Sequence, residues 1–146
     1  MEKSVILSIR GQQTFDDNSK PEVIELVTEG TLTDHRDGKF TVRYQESQLT
    51  GLEGTRTTIQ VQPDSVCILR EGQVNSQMVF EEGRRHLTMY NTPYGAMAIG
   101  VNTRRMKVDL DGTGGSIEID YALEVDHAVA GENLFSIYVR SRNIPQ

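Results

Sequence analysis

The sequence has a single cysteine, Cys67, among its 146 residues. One thiol cannot close an internal disulfide, so no covalent bridge within the chain holds the fold. Its neighbours Val66, Ile68 and Leu69 are apolar, which marks Cys67 as a buried, inert thiol rather than a reactive one. The N-terminus shows no charged-then-apolar leader. Together these features predict a reducing, cytoplasmic setting. Tryptophan is absent and aromatic residues make up 6% of the chain, which argues against a stacking platform for single-stranded nucleic acid. Basic residues are in the minority, with a formal net charge of −6. A protein that grips a phosphate backbone needs the opposite balance. Apolar runs extend only a few residues, far short of the roughly 20 that a membrane-spanning helix requires.

Catalytic and metal motifs are equally scarce. His35, His86 and His127 are widely spaced and none sits at metal-ligand spacing. Asp109-Leu110-Asp111-Gly112 resembles the opening of a calcium loop, but the later ligands are missing. Gly112, Gly114 and Gly115 match neither a dinucleotide nor a P-loop fingerprint. No G-x-S-x-G elbow occurs. The sequence therefore assigns no catalytic residue, no metal site and no cofactor.

What is present is alternation. In Ile117-Glu118-Ile119-Asp120-Tyr121-Ala122-Leu123-Glu124-Val125-Asp126, odd positions are apolar or aromatic and even positions are mostly acidic. A period of two with one apolar face is the pattern of a half-buried strand. The same pattern recurs at Val5, Leu7 and Ile9, and at Ile24 and Leu26. It returns at Phe40, Val42 and Tyr44, at Ile59 and Val61, at Met106, Val108 and Leu110, and at Phe135, Ile137 and Val139. Residues 65–71, 76–81, 86–92 and 96–103 are strand-like with less regular alternation. Turn residues separate the runs, as at Asp37-Gly38, Glu82-Gly83 and Asp111-Gly112. Residues 47–55 carry little pattern and read as a loop or a single helical turn.

About ten short strands joined by hairpins, with no helical period and no compositional break, predict one all-β domain over residues 1–146. Closure removes exposed strand edges, so the expected architecture is a single closed antiparallel barrel of about 8–10 strands. A barrel of this size has room for one small ligand.

Several polar residues share the parity of the apolar face. Glu46 follows Tyr44 inward. Arg70 follows Val66 and Ile68 inward, although Cys67 and Leu69 make the opposite facing equally readable. Tyr121 lies on the apolar face of the most regular strand. A buried charge needs a partner, so Glu46 and Arg70 form a natural pair. Such a pair serves either as an internal or mouth-level salt bridge, or as an anchor for a carboxylate or phosphate. Tyr90-Asn91-Thr92-Pro93-Tyr94-Gly95 reads as a turn whose two tyrosines could rim a pocket.

Tyr44-Gln45-Glu46, Ile68-Leu69-Arg70-Glu71-Gly72, Phe80-Glu81-Glu82-Gly83, Tyr90-Asn91-Thr92-Pro93-Tyr94-Gly95 and Tyr121-Ala122-Leu123 together resemble the YwiB-like family of bacterial proteins, a domain of unknown function found mainly in Gram-positive organisms. The resemblance spans nearly the whole chain. It implies a calycin (lipocalin-like) barrel and a cytoplasmic location, and it implies no activity. The Gly-x-Trp signature of secreted lipocalins is absent.

Two readings follow. In the first, the barrel binds a small anionic or amphipathic molecule through Tyr44, Glu46, Arg70, Tyr90, Tyr94 and Tyr121. In the second, side chains fill the barrel, and its outer face or rim binds a protein partner or a second copy as a homodimer. An enzyme built on a carboxylate–tyrosine pair is a third option that nothing in the sequence requires. Nucleic acid and membrane partners are not expected.

Overall fold

The computed structural model describes residues 2–14, 20–46, 53–72, 75–92, 95–125 and 128–142, with the side chains of 89–92 and 128–129 outside that description. The described residues form ten strands: β1 (Glu2–Thr14), β2 (Glu22–Arg36), β3 (Lys39–Gln45), β4 (Thr55–Val61), β5 (Val66–Gly72), β6 (Ser76–Phe80), β7 (Arg85–Thr92), β8 (Gly95–Asp111), β9 (Gly114–Val125) and β10 (Ala128–Ser141). They make one antiparallel sheet in the order β6-β5-β4-β3-β2-β1-β10-β9-β8-β7. Consecutive strands are neighbours throughout, and β1 pairs with β10. The sheet thus curls into a nearly closed up-and-down barrel, open only along the seam between β6 and β7.

That seam is bridged by other means. Thr88 Oγ1 on β7 donates to the carbonyl of Gln77 on β6. The β6–β7 turn leans on β8: Gly83 N donates to Thr103 O at 2.9 Å and Thr103 N to Arg84 O at 3.1 Å. Glu82 accepts the Met106 amide at 3.1 Å. A register shift lies at the same place, between Thr103 and Arg105. The extra residue swaps the inward parity from odd to even, so Val101 and Thr103 face in, and then Met106, Val108 and Leu110 do. Residues 96–103 and 106–110, which alternate out of phase, are one long strand with a bulge.

Turn chemistry at one end of the barrel is tight. Asp111 Oδ1 accepts the Thr113 amide at 2.8 Å, closing the β8–β9 hairpin. Gly115 follows at φ +137°, where a Cβ would stand 1.9 Å from the Asp109 carbonyl, so only glycine fits. The turns β2–β3, β4–β5 and β6–β7 lie at this same end. The last residues of β1, β3, β5, β7 and β9 lie at the other. The loop or helical turn expected over 47–55 falls mostly outside the described residues; Thr55 already belongs to β4.

The interior is graded from one end to the other. Across β3, β4, β5 and β6, inward residues form successive rows through the register. Nearest the tight turns is Phe40–Val61–Val66–Phe80; next comes Val42–Ile59–Ile68–Met78. Then the chemistry changes: Tyr44–Thr57–Arg70–Ser76, followed by Glu46 beside Thr55. The opposite wall repeats the pattern. Ile9–Ile137–Ile117–Val108 gives way to Gly11–Phe135–Ile119–Met106, and then to Gln13–Asn133–Tyr121–Thr103. Leu7, Leu32, Ile59, Phe80, Val101, Ile117 and Ile137 are fully buried in the apolar half. Each such side chain contributes about 1.5–3 kcal/mol by leaving water.

Candidate functional site

The polar half of the interior encloses a cavity of about 250 Å³. Its walls are Ile9, Gly11 and Gln13 on β1, Ile24 and Leu26 on β2, and Tyr44, Glu46, Arg70, Tyr121, Asn133 and Phe135. The cavity opens because strand lengths differ. The described β2–β3 ladder begins at Gly30 opposite Tyr44, while β2 continues back to Glu22, paired among the described residues with β1 alone. The inward side chains of Ile24 and Leu26 are left on an uncovered lip, and Ile24 is 45% exposed.

Register decides the facing of Arg70. It pairs with Thr57, which pairs with Tyr44, and cross-strand partners share a face. Arg70 therefore points inward, and Cys67 and Leu69 point outward. Cys67 is half-buried on the outer face rather than part of the core. Burial pushes its thiol up from the ordinary range, only partly offset by Gln77 Nε2 at 3.6 Å from Sγ, so it remains a poor nucleophile.

The two charges of the site are held differently. The Glu46 side chain is 2% exposed and the Arg70 side chain 22%. Glu46 is well satisfied: Thr57 Oγ1 donates to Oε2, and the Tyr44 hydroxyl donates to the same carboxylate. Arg70 Nε stands 3.8 Å from Glu46 Oε2, close enough for charge attraction and too far for a hydrogen bond. It is buried and has no hydrogen-bond partner among the described residues. Asn133 Nδ2, on the opposite wall of the same cavity, is also buried without one. So are the hydroxyls of Ser76 and Thr103 nearby.

The phenols report the same environment. Burial, then the Glu46 charge, drive the Tyr44 hydroxyl well above its usual value, partly offset by Arg70. Burial also raises Tyr121, again moderated by Arg70. Tyr121 is fixed by an edge-to-face contact with Phe80, ring centroids 4.8 Å apart. Both phenols are thus neutral hydrogen-bonding groups at physiological pH.

Of the six residues singled out in the sequence, four meet at this cavity: Tyr44, Glu46, Arg70 and Tyr121. Tyr90 lies on β7 opposite Met97, with its side chain outside the described residues, and Tyr94 lies outside them altogether. Thr57, Ser76, Thr103 and Asn133 were not anticipated. Their signal was available: each extends the inward parity of its strand beyond the apolar residues. Elsewhere, His35 Nε2 bonds Thr41 Oγ1 at 2.8 Å, and His86 Nε2 lies 2.9 Å from Glu81. Among the described residues no three His, Cys, Asp or Glu side chains cluster to hold a metal. No described helix is long and apolar enough to cross a membrane.

Comparison with known proteins places this architecture. A family profile described as "Domain of unknown function (DUF1934)" matches residues 7–137. The chain belongs to that family. A curated relative, "Uncharacterized beta-barrel protein YwiB" of Bacillus subtilis (strain 168), is 24% identical over 125 residues, covering 86% of each chain. The crystal structure of ywiB protein from Bacillus subtilis superposes with a TM-score of 0.83 at 23% identity, over 97% of this chain and 94% of that one. The YwiB-like resemblance read from the sequence is thus met by family, relative and fold. The structural likeness speaks for the DUF1934 barrel alone, since neither description names a ligand or an activity.

Proposed function

We propose that the polar half of this DUF1934 barrel is a binding site for a small anionic or amphipathic molecule in the cytoplasm. The observation that carries the reading is Arg70 Nε: a buried cationic donor on the wall of an accessible cavity, without a hydrogen-bond partner among the described residues. Leaving such a donor unpaired costs on the order of 1–3 kcal/mol. A fold that retains that cost beside an opening is arranged for an acceptor that arrives from outside. The cavity is smaller than the roughly 300 Å³ at which drug-sized pockets begin, so the molecule is small. Tyr44, Glu46 and Tyr121 position Arg70 and supply the polar surroundings, and Tyr90 stands near the end of β7.

The test is native mass spectrometry of the protein purified from its own host. A small molecule should accompany the chain and disappear from the Arg70→Leu variant. A bare chain mass from every preparation would overturn the reading.

The alternative, a filled barrel acting through its outer face, is favoured by a different observation. Val27 and Tyr138 are 65% and 54% exposed, and both flank Ser8 on the outer surface of β2, β1 and β10. Exposed apolar groups in one neighbourhood are where a partner chain or a second copy would sit. The same spectra would report a homodimer.

A further inference from the structure

The site's own donors and acceptors restrict the head group it takes, an inference that rests on the ligand reading above. The side-chain groups left unsatisfied at the cavity, among the described residues, are donors. Arg70 Nε and Asn133 Nδ2 are buried N–H groups without acceptors, on β5 and β10. The carboxylate that could have made the site cation-binding is already bonded by Thr57 and Tyr44, and its side chain is nearly inaccessible. An ammonium head would face two buried donors and satisfy neither. A dianionic phosphate would set two negative charges near Glu46, with one guanidinium to balance all three. A monocarboxylate satisfies both donors and adds a single charge.

The remaining wall is apolar. Ile9, Ile24, Leu26 and Phe135 line it, and between Ile24 and Phe135 stands Gly11. A Cβ on Gly11 would meet nothing within 4 Å. The missing side chain leaves a slot beside Phe135 that opens toward the lip. Glu22 sits exposed at that lip, in water, where its charge is screened.

We propose that the cavity selects a small monocarboxylate, its head held by Arg70 and Asn133 and its short aliphatic tail lying in the slot left by Gly11.

The experiment is a head-group series on the unmodified protein at neutral pH, read by titration calorimetry: octanoate, octylamine, octanol and octyl phosphate. Octanoate should bind at least roughly tenfold more tightly than each of the others, a ratio set by one charge-assisted hydrogen bond. Asn133→Asp should weaken octanoate and strengthen octylamine, reversing their order, because a buried donor becomes an acceptor. Four probes of equal affinity, all lost in Gly11→Val, would overturn the monocarboxylate assignment and leave the ligand site standing. Tighter binding of octyl phosphate or octylamine would overturn it likewise. No binding of any probe, with no difference in Gly11→Val, would overturn both.

Discussion

The two halves of the barrel interior use the same backbone ladder for opposite ends. Toward the tight turns, Phe40–Val61–Val66–Phe80 and Val42–Ile59–Ile68–Met78 interlock without a polar atom among their side chains apart from the methionine sulfur. One row further along the same four strands stand Tyr44, Thr57, Arg70 and Ser76. No turn or bulge separates the rows, only two residues of sequence per strand. The apolar half gains stability from each side chain it buries. The polar half gains less, because hydroxyls and a guanidinium must be desolvated and two of its N–H donors stay unpaired. A fold optimised only for stability would continue the apolar rows to the end. On the proposed reading, stability and recognition fall to different ends of one sheet.

The sharpest way to break this division is to damage the apolar half. Phe80 is fully buried in the row nearest the tight turns, and its ring packs edge-on against Tyr121 of the polar half. Phe80→Ala should cost about 3–5 kcal/mol in urea denaturation, through lost transfer energy and the cavity left behind. It should also loosen Tyr121 and so weaken ligand uptake. A cost below about 1 kcal/mol, the range of a tolerated hydrophobic swap, would mean that the apolar half is not the stabilising one.

Within the polar half, the two charges should differ. Glu46→Ala removes the acceptor of Thr57 and Tyr44 and the counter-charge of Arg70 together. Removing one partner of a largely buried set should cost roughly 3 kcal/mol. Arg70→Leu leaves the buried Glu46 carboxylate with its hydroxyl donors but without a counter-charge, so its cost should be roughly 3 kcal/mol as well. Ligand uptake should separate them, lost more completely with Arg70. Denaturation and native mass spectrometry on the pair of variants would show whether stability and binding separate as the geometry requires.

This division was partly legible in the sequence. The alternation over 117–125 gave the facing of β9 correctly, including Tyr121. The Phe40–Tyr44 parity carried Glu46 inward. Arg70 was ambiguous because β5 is apolar on both faces, and only its pairing with Thr57 resolves the facing. The long β8 looked like two strands because a bulge near Arg104 reverses its parity. Thr57, Ser76, Thr103 and Asn133 escaped notice because small polar residues in strands ordinarily face water. The lip at Ile24 and Leu26 has no signature in composition at all. It follows from where β3 ends relative to β2, a property of the register rather than of any residue.

Alkaline pH sharpens the comparison from another side. Tyr44 and Tyr121 are raised above the ordinary phenol value of about 10, while unfolding restores that value. Below pH of about 10 both states keep the proton and the contribution is intact. As pH rises through 10 toward the raised folded value, only the unfolded state releases protons, so stability falls. Each phenol should contribute up to about 1.4 kcal/mol per pH unit to that fall. The slope above pH of about 10, measured by urea denaturation, should shrink in Tyr121→Phe, which removes one of the two phenols. An unchanged slope would place the alkaline sensitivity outside the polar half.

The smallest effect on stability should come with the largest effect on binding. Gly11 lies mid-strand on β1, faces the cavity, and has open space where a side chain would stand. Its backbone needs no glycine-specific conformation. Gly11→Val should therefore stabilise the protein by about 0.5–1 kcal/mol, since glycine weakens a strand and a β-branched residue suits one. A glycine that lowers stability and leaves a slot has no purpose in a barrel whose interior serves only as filling. If the slot is where a ligand lies, Gly11→Val yields a firmer barrel that no longer carries its ligand out of the host. A firmer barrel that still carries it would mean that the ligand sits elsewhere, and the polar half would then be a tolerated imperfection of the core.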